Sequence, residues 1–143
     1  MTTLDETAME FLQPPDWKPP RGYANGVLHR IQPGDALIFV GGLIGWNAQQ
    51  EFETDDFALQ VRQALANVVA VLAEGGAKPE HITRMTWYVK NKREYVAAYP
   101  EIGKHYREFI GRHFPAMAAV EVADLVEDRA KVEIEVTACV PGE

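Results

Sequence analysis

The chain contains no serine, a single cysteine and fewer basic than acidic residues, and each shortage removes a class of function. Without serine, acyl transfer through a Ser-His-Asp constellation is excluded. Cys139 alone forms no internal disulfide and no cysteine-based metal cage; it fits a reducing compartment, and its simplest role is that of a small apolar strand residue. With 14 Lys and Arg against 21 Asp and Glu, the net charge is −7. No basic field exists to hold phosphate backbones, so nucleic acid is not an expected partner. No apolar run reaches membrane-spanning length, and the opening MTTLDETAME has acids where a secretory signal needs an apolar stretch. A cytoplasmic protein without membrane contact is the expectation.

Motifs for metal and phosphate are missing as well. His29, His81, His105 and His113 share no HxH or HExxH spacing, so no metal site is expected. GGLIG does not match the dinucleotide fingerprint, and there is no GxxxxGK[ST] loop.

What is present suffices for one domain: 143 residues, of which 47% are hydrophobic. Residues 1–22 hold Pro14, Pro15, Pro19 and Pro20, which disfavour helix and ladder, and read as an extended lead-in to a single domain over residues 23–140. The runs ANGVLHRI and ALIFVGGLIGW flank Gln32-Pro33-Gly34-Asp35, the pattern of a β-hairpin. From Thr54 to Ala73, Phe57, Val61, Leu65, Val68 and Leu72 recur at helical spacing, with Thr54 as the expected N-cap and Gly75-Gly76 as the stop. A strand follows over His81 to Lys90. A second helix, about Arg93 to His113, carries an aromatic stripe, and Pro100 should split or kink it. MAAVEV and AKVEIEVTACV read as two more strands.

The expected fold is therefore α+β, β-β-α-β-α-β-β, with two helices on one face of a mixed sheet. In the last strand Val132, Ile134, Val136 and Ala138 alternate with Lys131, Glu133, Glu135 and Thr137, so the apolar set belongs under the helices. The row Met85, Trp87 and Val89 has no assignable side; facing away from the helices, it would call for self-association, and a homo-oligomer is expected on that ground.

For chemistry the residues offer Glu133 and Glu135 on a strand, Tyr23 after a turn, and the Gly41-Gly42 backbone. A strand glutamate among valine and isoleucine can be partly desolvated, which raises its pKa toward the range useful for proton transfer. The competing reading is an ion pair with Lys131 or Arg129.

The segments GYANGV, FVGGLIGW, DDFALQVRQALANVVAVLAEGGAKPEHITRMTWYV and HFPAMAAVEVADLVEDRAKVEIEVTA resemble the RidA/YjgF family of enamine and imine deaminases, formerly labelled L-PSP endoribonucleases. The resemblance covers about Gly22 to Ala138. It implies a chorismate-mutase-like fold, a barrel-like homotrimer with a small-molecule cleft at each subunit interface, hydrolysis of reactive 2-imino acids to 2-keto acids and ammonia, and no cofactor. Carried over by position, the cleft-lining tyrosine is Tyr23, the backbone-contact glycine Gly42 and the water-placing glutamate Glu133.

Two positions depart from the family pattern. The arginine that grips the substrate carboxylate is Met117, within Pro115-Ala116-Met117-Ala118, and Leu43 replaces the usual glutamine. Three readings stay open on this basis. The first is a divergent enamine or imine deaminase, with Glu133 placing water, Trp46 or Met117 packing on an apolar substrate body, and Arg84 or Arg112 holding a distant carboxylate. The second is a non-catalytic trimer that binds a small metabolite. The third is a partner-binding or chaperone-like protein.

Overall fold

One of the two inner strands of the sheet organises the rest. Along β6 (Val132–Val140), Val132, Ile134, Val136 and Ala138 are buried on one side, and Glu133, Glu135 and Thr137 stand on the other. A strand with one apolar face must be covered on that face. The computed structural model, which describes residues 9–142, covers it with helices. Residues 1–8 of the expected lead-in lie outside the described residues.

β6 pairs antiparallel on one side with β3 (Ala36–Ile44) and on the other with β4 (Ile82–Val89). β4 pairs in parallel with β5 (Ala116–Glu121), giving the mixed order β3-β6-β4-β5. A parallel pair requires a crossover. Here it is α2 (Lys92–Ala97) and α3 (Tyr99–Phe109), which follow β4 and lead into β5. Pro100 sits in the first turn of α3, where its missing N–H costs nothing, and so divides the expected second helix in two.

The long helix α1 (Phe57–Glu74) lies across β3 and β6 with Val61, Leu65, Val68 and Leu72 fully buried. Its N-cap is Asp56, whose carboxylate accepts from Leu59 N at 3.0 Å. Thr54, the expected cap, instead accepts from Asp56 N at 2.9 Å and shapes the approach. The run Thr-Asp-Asp offers three candidate caps, and the one adjoining the first buried turn residue, Phe57, takes the role. At the other end Gly76 adopts φ 77°, which lets Ala77 N–H reach back to the Leu72 carbonyl at 2.9 Å.

The row left unassigned by the sequence is core: Met85, Trp87 and Val89 are at most 1% exposed. It therefore gives no ground for self-association. The sheet face away from the helices carries the exposed apolar side chains instead, Leu37 and Phe39 on β3 and Val120 on β5.

The expected hairpin differs from what forms. The Gln32–Asp35 turn is made, with Asp35 N donating to Gln32 O at 3.0 Å, but the strands it joins pair elsewhere. β2 (Gly26–His29) pairs with β1 (Met9–Leu12) inside the lead-in, in a separate two-stranded ribbon. Between ribbon and sheet, Ala24 bridges Ala116 in parallel and donates from its N–H to Pro115 O at 3.0 Å. This contact carries the segment before β2 along the open edge of β5. A turn motif fixes reversal, not partner, and β6 offers β3 a longer apolar ladder than β2 does.

One fully buried polar side chain ties loops to this core. Gln60 on α1 donates from Nε2 to Thr54 O (3.1 Å) and Arg129 O (3.0 Å), while its Oε1 accepts from Lys131 N at 2.9 Å. Gln60→Leu leaves three part-buried backbone groups without this partner and is expected to cost about 3 kcal/mol, read as a lower urea midpoint with an unchanged slope.

Candidate functional site

The pleat assigns the expected site residues to two places. Met117 is in register with buried Met85, so it points toward the helix layer, whereas Glu133 is opposite Tyr88 on the other face. Within one chain the two residues are separated by the sheet.

On the helix side, the crossover leaves a cleft of about 530 Å³ between β5, α2, α3 and the segment 21–23. Tyr23 and Met117 both line it, the first exposed and the second half-buried. The remaining wall is strongly aromatic. Tyr95 and Tyr99 meet edge to face at 5.2 Å between ring centroids, and Tyr106 stacks on Phe114 at 5.4 Å. Burial pushes the Tyr106 phenol well above its ordinary pKa, and this neutral hydroxyl donates to the His113 carbonyl at 2.6 Å. His113 Nε2–H in turn donates to Ile82 O at 2.6 Å, so this histidine braces the strand entry. Among the described residues, the only charged ones on the cleft wall are Arg21 and Arg107.

On the open face, Glu133 stands directly over Gly42, where any Cβ would overlap its carboxylate. That is the close approach the Gly41-Gly42 pair permits. Neither expected ion pair forms: Lys131 pairs with Glu94 at 3.2 Å and Arg129 with Asp55 at 3.0 Å. Glu133 has no hydrogen-bond or ion-pair partner among the described residues. Glu135 accepts from the Tyr88 hydroxyl at 3.1 Å, and that bond holds the Tyr88 phenol above its ordinary pKa.

The other expected residues lie apart from both. Leu43 faces Ile134 and packs on the core, and Trp46 rests against Phe52 at 5.7 Å in the loop after β3. Arg84 is on the open face, and Arg112 does not line the cleft. The cations that do line it were absent from the sequence reading. Their only signal is position: Arg21 two residues before Tyr23, and Arg107 next to Tyr106 on the aromatic stripe.

One further cluster joins residues remote in sequence. His29, Asp35 and Cys139 bring a nitrogen, an oxygen and a sulfur within 4.8 Å of one another. In chemical type the set could hold a metal ion, but Asp35 is already engaged: it accepts from Gln32 N and Gly142 N, both at 2.9 Å, and lies 3.4 Å from His29 Nε2. Burial, and then the Asp35 charge, push the Cys139 thiol up. The cluster acts as a pin between the β2–β3 turn and the C-terminal segment.

A small α+β unit with helices on one face, an aromatic cleft at the crossover and a lone glutamate over a glycine narrows the class considerably. The chain matches the family model described as Endoribonuclease L-PSP over residues 19–140, and it belongs to that family, the RidA/YjgF proteins. It is 34% identical over 105 residues to the 2-iminobutanoate/2-iminopropanoate deaminase of Escherichia coli K12, covering 71% of this chain and 78% of that protein. A RutC family protein of Pasteurella multocida is 31% identical over 102 residues, 71% and 78% of the two chains. Among solved structures, the Rid family protein YyfB of Yersinia pestis, of unknown function, superposes with a TM-score of 0.79 at 28% identity, covering 93% of this chain and 99% of that one. The Escherichia coli YjgF gene product gives 0.61 at 33% identity, covering 81% and 86%. The chorismate-mutase-like expectation for the fold agrees with these neighbours. No helix among the described residues is long and apolar enough to cross a membrane.

The pin generates a pH dependence. Hydrogen bonds from Gln32 N–H and then Gly142 N–H hold the Asp35 carboxyl below its ordinary value of 3.8. A carboxyl depressed by folding adds stability above its unfolded pKa, and that stability is lost as pH falls through the lower, folded value. Asp35→Asn is therefore expected to unfold at lower temperature than wild type at neutral pH, and to lose less further stability than wild type between about pH 5 and about pH 3, as read by thermal denaturation.

Proposed function

We propose that this protein is an imine or enamine deaminase whose substrate is not one of the small 2-imino acids. The family, and relatives named as 2-iminobutanoate/2-iminopropanoate deaminases, support the reaction class. The observation that carries the substrate departure is Met117, which lies beside Tyr23 on an aromatic wall where the family pattern has arginine.

The reaction is a hydrolysis that needs water and two proton movements. An enamine first tautomerises to the imine by taking a proton at its β-carbon. Glu133, partnerless over Gly42, orients a water and accepts its proton as the oxygen bonds to the imine carbon. The imine nitrogen gains that proton to give a carbinolamine; the proton of its hydroxyl then passes to the nitrogen as the carbon–nitrogen bond breaks, and ammonia leaves a carbonyl product. Because Glu133 and Met117 occupy opposite faces of one sheet, the working cleft joins the open face of one copy to the aromatic wall of another. A trimer of the family kind supplies that arrangement, and the exposed Leu37 and Phe39 on the open face suit a subunit contact.

Methionine provides none of the directed hydrogen bonds of a bidentate arginine–carboxylate contact, which contributes on the order of 2 to 5 kcal/mol. Small imino acids should therefore be processed roughly 30- to 5000-fold less efficiently than with arginine in place. The test generates 2-imino acids with an amino-acid oxidase and measures suppression of semicarbazide trapping. Wild type is expected to act weakly, Met117→Arg to gain at least about 30-fold, and Glu133→Gln to lose about 100-fold or more of whatever activity is present. Efficient hydrolysis by wild type would sink the substrate argument; activity indifferent to Glu133→Gln would sink the mechanism.

A further inference from the structure

We infer that the aromatic cleft binds a carboxylate-bearing molecule with an aromatic or bulky apolar body, held at its acid end by Arg21 and Arg107. The inference rests on the reading of this cleft as the substrate wall and names the substrate class it selects.

Charge is the first ground. The chain carries an excess of seven negative charges, yet among the described residues the cleft wall includes two guanidinium groups and no carboxylate. Neither Arg21 nor Arg107 has a hydrogen-bond or ion-pair partner among the described residues. By contrast Arg62 forks onto Glu108 at 2.7 and 3.2 Å, and Arg129 reaches Asp55. Two partnerless cations at the border of a low-polarity cleft attract an anion, and guanidinium fits a carboxylate in particular.

Size and surface then set the body of the ligand. About 530 Å³ lies within the range of sites for drug-sized molecules and far exceeds the needs of a three- or four-carbon acid. Tyr95, Tyr99, Phe114 and Met117 present ring faces and edges and one adaptable thioether, surfaces that gain most from a flat apolar group. Thus, with methionine at position 117, the acid anchor falls to Arg21 and Arg107, and the wall at Met117 is left apolar for a ring.

Titration calorimetry on the full chain tests this with 3-phenylpropanoate, its neutral amide and butanoate as probes. The aromatic acid is expected to bind saturably and about tenfold or more tighter than either comparator. Arg107→Gln and Arg21→Gln, both at exposed positions, are each expected to weaken the acid several-fold and leave the amide unchanged. Equal affinity for acid and amide, indifference to both arginine variants, or no saturable binding of the aromatic acid overturns the inference. Binding of the acid with no turnover of either small or aromatic 2-imino acids in the trapping assay leaves this inference standing and removes the deaminase reading. Imine turnover without binding of the acid removes this inference alone.

Discussion

Everything in the molecule depends on the two-residue period of β6. Its even-numbered positions, Val132 to Ala138, bury against α1 and fix which way the whole sheet faces. Its odd-numbered positions then have no choice but to place Glu133 and Glu135 on the opposite face. Because β4 and β5 follow the same pleat, Met117 is committed to the helix side by its pairing with Met85. A one-residue slip would invert both assignments at once, and the fully buried Ile134 and Val136 make such a slip prohibitive.

That constraint explains the architecture of the site. The carboxylate over Gly42 and the aromatic cleft around Tyr23 cannot be neighbours within a chain folded this way. Glycine at position 42 is what allows the carboxylate to lie flat on the strand, and the bulge between Val40 and Leu43 turns Leu43 into the core beside it. The open face is thus polar at its β6 centre and apolar at Phe39, which is 75% exposed.

Much of the fold was legible because its signals are local. The helical spacing from Phe57 to Leu72, the alternation of β6 and the break at Pro100 are each written in a few consecutive residues. What was not legible depends on distant partners. The turn at Gln32–Asp35 announces a reversal but cannot say that β3 prefers β6, nor that Met9–Leu12 supplies a strand for β2. The strand sides of Met85 and Trp87 became definite only once α2 and α3 were seen to lie over them. At the site, Tyr23, Gly42, Glu133 and Met117 came from matching a pattern, whereas the cleft arginines had no pattern to match. Arg21 sits in a proline-rich lead-in and Arg107 on an exposed helix position, two contexts in which a cation normally means nothing beyond solvation.

The parallel pairing of β4 with β5 has a consequence for how such a protein can change. Most of the cleft wall, from Trp87 to Ala119, belongs to one uninterrupted stretch of chain that leaves the sheet and returns to it. Substitutions or length changes in that stretch remodel the volume and polarity of the cleft while β3, β6 and the two carboxylates on β6 stay in place. The cleft is modular here in a literal sense, built mostly from a single replaceable excursion of the chain, and a lineage could reshape it without renegotiating the strand that carries Glu133.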